Sequence, residues 1–132
     1  MRIPAKFNDS DIKEAHEAAD VVASEEFRPY LPGRLLPVLV ARFRDDTAEV
    51  LEMELPPLPR RPPVRAAKLD ELTSREFATL WAAVDTLIER FTPCMDDPEL
   101  PRLLVSLRED LVAERVERER IAEDIAMKGR AS

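Results

Sequence analysis

The chain has 132 residues, with 20 Lys and Arg against 27 Asp and Glu, a net charge of −7. That length is one domain with room for a core. There are 12 Pro but only 2 Gly, which excludes Gly-rich phosphate loops. A single Cys excludes an internal disulfide framework, and a single His excludes His-cluster metal sites.

No segment approaches the ~18 consecutive apolar residues of a membrane span. The N-terminal stretch turns acidic within ten residues and has no apolar core, so no signal peptide is expected. With one Cys, this predicts a reducing, cytoplasmic setting. The negative charge opposes direct nucleic-acid binding, which needs a basic face. Aromatics make up only 5% of residues, so the core is expected from Leu, Val, Ile and Ala.

Asn8, Asp9 and Ser10 offer an N-cap for a first helix over about 11–27. Ile12, Ala15, Ala19 and Val22 recur on one face of it, and Asp11, Glu14 and Glu17 suit the positive end of the helix dipole. Arg28-Pro29 ends it, because the residue before Pro is pushed out of helical geometry.

A second helix is expected over about 34–54, with Pro37 tolerated in its first turn. Leu36, Leu39, Val40, Phe43, Val50 and Leu51 form its stripe, with a break plausible at Asp45–Thr47. An alternative is a β-hairpin over 36–55. Val38-Leu39-Val40 is β-prone, and Leu51, Met53 and Leu55 alternate with acids. Asp-Asp is a poor two-residue hairpin turn, which favours the helix.

Residues 55–66 hold five Pro and three Arg with no acid. This reads as an extended, polyproline-like link. A capping box, Thr73-x-x-Glu76, then opens the clearest helix, 74–91, with Phe77, Leu80, Trp81, Val84, Leu87, Ile88 and Phe91 on its apolar face. Thr92-Pro93 stops it. The fourth helix is expected over about 99–127, with Leu100, Leu103, Leu104, Leu107 and Leu111 inside. Beyond Ala113 it becomes highly charged, with Glu114–Arg118 and Arg120–Asp124 as i,i+4 pairs and Gly129 as a C-terminal cap. Its end is expected to project past helix 3. Phe27-x-Pro29 and Phe91-x-Pro93 echo each other; an ancient duplication of a helical hairpin is one reading, and Pro at helix boundaries beside Leu-rich cores is the plainer one.

The expected fold is all-α: four helices as two antiparallel hairpins joined by a Pro-rich linker, in a single domain over 1–132. The alternative is α+β with the 36–55 hairpin.

Few constellations carry chemistry. His16 and Asp20 are i,i+4 on helix 1, and Asp85 and Glu89 are i,i+4 on helix 3. If the two faces met, four ligands would surround a divalent metal. The Glu-x-x-His motif of carboxylate bundle sites is absent, since Lys13 stands three before His16. Solvated faces are the plainer reading, and no cofactor is expected. Cys94 has no neighbouring base to make a thiolate. Pro56, Pro59, Arg60 and Arg61 fit PxxPx[RK], which aromatic-groove domains read in polyproline segments; a stiff connector is the plainer reading. Val112, Val116, Ile121 and Ile125 lie on the charged end of helix 4. They do not hold a strict heptad, so a long coiled coil is not expected. Val116, Ile121 and Ile125 remain candidates for a partner contact.

The stretches PGRLLPVLVARFRDD (32–46), LDELTS (69–74) and TPCMDDPELPRLL (92–104) resemble those of uncharacterised small helical proteins of high-GC Gram-positive bacteria. The resemblance implies an all-helical fold and a bacterial, cytoplasmic origin. It carries over no functional residue. The expected function is a non-enzymatic, small acidic interaction or regulatory protein, binding a protein partner or itself as a homodimer. Its contact surface would use the charged end of helix 4 or the Pro-rich strand. The alternatives are a metal- or ligand-dependent helical enzyme and an acidic nucleic-acid mimic that binds a DNA-associated protein.

Overall fold

A computed structural model of the chain describes residues 1–55 and 67–130. It is all-α, with four helices and no strand among the described residues. The helices are α1 (Asp9–Ala23), α2 (Leu35–Val50), α3 (Ser74–Phe91) and α4 (Glu99–Arg130). The Pro-rich link lies outside the described residues, apart from Leu55.

The N-cap of α1 is Asn8. Its side chain accepts from the Asp11 amide at 3.0 Å, and the Asp11 carboxylate accepts from the Asn8 amide at 2.9 Å. The helix ends at Ala23, four residues before the expected end. The Ser24 hydroxyl donates to the Val21 carbonyl at 2.7 Å, and Glu25-Glu26 follow, where negative charge opposes the helix dipole. Phe27 is still buried, although it lies outside the helix. A 3₁₀ turn, Arg28–Tyr30, carries Pro29 after it. The same device follows α3, where buried Phe91 precedes the 3₁₀ turn Thr92–Cys94 with Pro93.

The β-hairpin alternative over 36–55 does not form. Leu36, Leu39, Val40, Phe43, Thr47 and Ala48 are buried at spacings of 3, 1, 3, 4 and 1, which is one helical face. The helix runs unbroken through Asp45–Thr47. A strand would have buried Met53, which is exposed. The alternation at 51–55 instead falls past the helix end. There Met53 N–H donates to Ala48 O at 2.9 Å, and Glu52 N–H donates to Glu49 O at 3.1 Å. This is the Schellman closure, and it needs a left-handed residue between helix and exit. Glu52 takes that place at φ 55°, and so α2 stops at Val50, short of the expected 54. Gly33, at φ 72°, makes the turn before α2.

Helix α3 has the expected bounds and capping box. Thr73 Oγ1 accepts from the Glu76 amide at 3.1 Å, and Glu76 accepts from the Thr73 amide at 3.0 Å. Helix α4 runs three residues further than expected, and Gly129 lies inside it rather than capping it. At ~1.5 Å per residue, α4 is about 48 Å long and α3 about 27 Å.

Helix α1 packs extensively against both α2 and α3, α3 packs against α4, and α2 touches α4. Ala15, Ala18, Ala19 and Ala23 let α1 approach its neighbours closely. Leu100, Leu104, Leu107 and Leu111 close the core from the α4 side. The pairs His16–Thr47 and Asp20–Arg44 run in opposite senses along α1 and α2. Phe77–Arg118, Trp81–Arg115 and Asp85–Arg108 do the same along α3 and α4. No helix among the described residues is long and apolar enough to cross a membrane.

Candidate functional site

The four carboxylate and imidazole candidates do not meet. His16 is buried against α2, not on a solvated face. Thr47 Oγ1 donates its one proton to the Arg44 carbonyl at 2.7 Å, so His16 Nδ1, at 3.0 Å from Thr47 Oγ1, is the donor to it. Asp20 accepts from Arg44 Nε at 2.6 Å, and Asp45 lies 3.5 Å from Arg44 Nη1. Asp85 and Glu89 face the other way and hold Arg108 of α4, at 3.2 and 2.5 Å. Asp20 is therefore paired with the Arg44 guanidinium, and Asp85 and Glu89 with that of Arg108. Among the described residues, no group of three or more His, Cys, Asp or Glu is arranged to hold an ion.

Cys94 is buried, and burial pushes its thiol up, with Lys6 acting weakly the other way. That is the opposite of an activated nucleophile. Pro56, Pro59, Arg60 and Arg61 lie outside the described residues.

A built surface does exist between α3 and α4. Phe77 and Trp81 lie one turn apart on α3, with ring centroids 5.9 Å apart. Arg115 stacks over Trp81 at 4.9 Å, and Arg118 over Phe77 at 4.5 Å. Such contacts place each cation over the face of its ring, where the ring quadrupole attracts it. Arg118 is fully engaged. Its Nη2 donates to the Leu69 and Leu72 carbonyls at 3.1 and 2.7 Å, and its Nε donates to Glu114 at 2.9 Å. Arg115 is more open, and its nearest carboxylate is Glu119 at 3.9 Å. Between the helices is a shallow groove of about 450 Å³, floored by Phe77, Ala78, Trp81 and Ala122.

The groove leads directly onto the projecting end of α4. The four apolar residues singled out there fall on two faces. Val112 and Val116 point away from the bundle, which explains why the four together hold no heptad. Ile121 and Ile125 continue a different series: Leu100, Leu104, Leu107, Leu111, Glu114, Arg118, Ile121, Ile125. Those spacings alternate 4, 3, 4, 3, 4, 3, 4, which is a heptad seam. The first four members are buried, and the Glu114–Arg118 pair closes the end of the bundle. Ile121 and Ile125 are 46% and 66% exposed. The stacked Arg residues escaped the sequence reading because their partners sit on another helix. The seam is legible in the alternating 4 and 3 spacing from Leu100 to Ile125.

No protein-family model, no curated protein and no solved structure matches this chain.

Proposed function

We propose that this chain is a non-enzymatic interaction module of the bacterial cytoplasm. Its contact surface is the C-terminal part of α4 together with the groove between α3 and α4. The observation that carries this reading is the seam. Ile121 and Ile125 stand in register with four buried leucines, yet more than two fifths of each remains in water. An apolar stripe that outruns its own bundle, beside an aromatic and arginine-lined groove, is the anatomy of a partner contact. The buried thiol and the dispersed carboxylates favour this reading over an enzyme.

The test compares the full chain with an Ile121→Asp/Ile125→Asp variant as baits in the native host. Both side chains are exposed, so the variant is expected to keep its helical circular dichroism and melting temperature. The reading predicts specific partners retained by the wild type and lost by the variant. Identical sets from both baits would refute this surface as the site of interaction.

A further inference from the structure

We infer that the occupant of this surface is the α4 end of a second copy of the chain, seated in the groove between α3 and α4, with the exchange reciprocal. The inference rests on the interaction-module reading and names its partner.

The first argument is register. A helix seam spaced 4 and 3 is complementary to another helix with the same spacing. Inside the bundle, the leucines of this seam are buried in the core, where α4 meets α3 and α2. Past Arg118 the seam continues while α3 does not, since α3 begins at Ser74, level with Ala122 at the mouth of the groove. Ile121 and Ile125 of one copy therefore match the exposed Ala78 and the half-buried Trp81 that the other copy presents, Phe77 itself being covered by Arg118.

Charge supplies the second argument. Arg115 faces the groove with its nearest carboxylate at 3.9 Å, at the outer limit of an ion pair. On the α4 end, Asp124 flanks Ile121 and Ile125, and among the described residues its ion pair is with Arg120, at 3.4 Å. An Arg115–Asp124 pair between copies would place a second carboxylate beside the Arg115 guanidinium, which is stacked on Trp81. The net charge of −7 on each copy opposes association. Over distances beyond ~8 Å it is screened at physiological salt, whereas contact pairs are not.

The third argument is area. The exposed end is about three turns of helix, and a foreign helix on one groove would bury little. A two-fold arrangement buries tail and groove twice, which brings such a contact toward the ~1,200 Å² total of a specific interface.

Trp81 is the only Trp in the chain, so its fluorescence reports occupancy of the groove without a label. In sedimentation equilibrium across micromolar to millimolar concentration, the mass is expected to rise from 15.1 kDa toward twice that value. Trp81 emission is expected to shift to the blue over the same range. Ile121→Asp/Ile125→Asp should stay at the monomer mass with unchanged ellipticity. Arg115→Glu and Asp124→Arg should each weaken association about tenfold, and an equimolar mixture of the two should associate more tightly than either alone. A monomer at every concentration overturns the inference. So does a dimer that forms equally in the Ile121→Asp/Ile125→Asp variant, or one that leaves Trp81 emission unchanged. If the chain stays monomeric but the same double variant loses a distinct protein partner, the second-copy inference fails and the interaction-module reading stands.

Discussion

Arg44 shows how much a single side chain depends on its neighbours. Its guanidinium is buried between α1 and α2, with Asp20 at 2.6 Å as its main partner. Removing one member of such a pair strands the other, whereas replacing the buried charge with an apolar side chain of similar length removes the need for a partner. Asp20 is 53% exposed at its side chain, so water moderates the loss. Asp20→Ala is expected to cost about 1–2 kcal/mol, and Arg44→Met is expected to be close to neutral. Urea unfolding midpoints of the two variants check this ordering. His16 and Thr47, beside Arg44, share the same logic: polar groups at a helix contact, each with its hydrogen-bond partner supplied by the other helix. None of this was legible in the sequence. The i,i+4 spacing of His16 and Asp20 put them on one face, but the residues they meet are more than 20 positions away.

The elements were more legible, because their ends are written in local residues. Thr73-x-x-Glu76 starts α3 where its side chains say it should, and Asn8, one of three cap candidates, starts α1 at Asp9, two residues before the expected 11. The Thr73 amide bonded to the Glu76 carboxylate, followed by the Thr73 side chain, holds that carboxyl below its ordinary value. A depressed carboxyl stabilises the fold above its unfolded-state pKa and loses that contribution as pH falls through its folded-state value. The stability difference between wild type and Glu76→Gln is therefore expected to shrink on acidification below the usual carboxylate range, as read from melting temperatures over a pH series. Asp46 works in the opposite direction, since burial raises its carboxyl, and the subtraction removes its effect.

The end of α2 was not legible, because the chain departs from the local rule there. Closure wants Gly at position 52, and this Gly-poor sequence has Glu at φ 55° instead. A side chain at such φ carries a penalty that Gly avoids. Glu52→Gly is expected to stabilise the protein by about 0.5–1 kcal/mol, visible as a raised urea midpoint with an unchanged slope. Conversely, Gly129 sits inside α4, where no turn requires it.

The whole molecule divides α4 into a part that builds the fold and a part that does not. Leu104 and Ile125 belong to one seam and look alike in sequence. Leu104 is fully buried and Ile125 is 66% exposed. Leu104→Ala is expected to cost about 2–5 kcal/mol, and Ile125→Ala less than about 0.5 kcal/mol in the monomer. Thermal and urea unfolding at low protein concentration check both values.

The sequence alone determined the all-α class, the four helices, most of their starts and the stop of α3 at Thr92-Pro93. These follow from periodicity, capping and backbone sterics, which act over a few residues. Tertiary structure alone decided which faces met. It turned His16 inward, gave Asp85 and Glu89 to Arg108 rather than to a metal, and laid Arg115 and Arg118 on the rings of α3. It also decided where α3 stops covering α4. Those outcomes depend on helix lengths and approach distances across the whole bundle, set by small residues such as Ala15 and Ala19, and no local pattern encodes them.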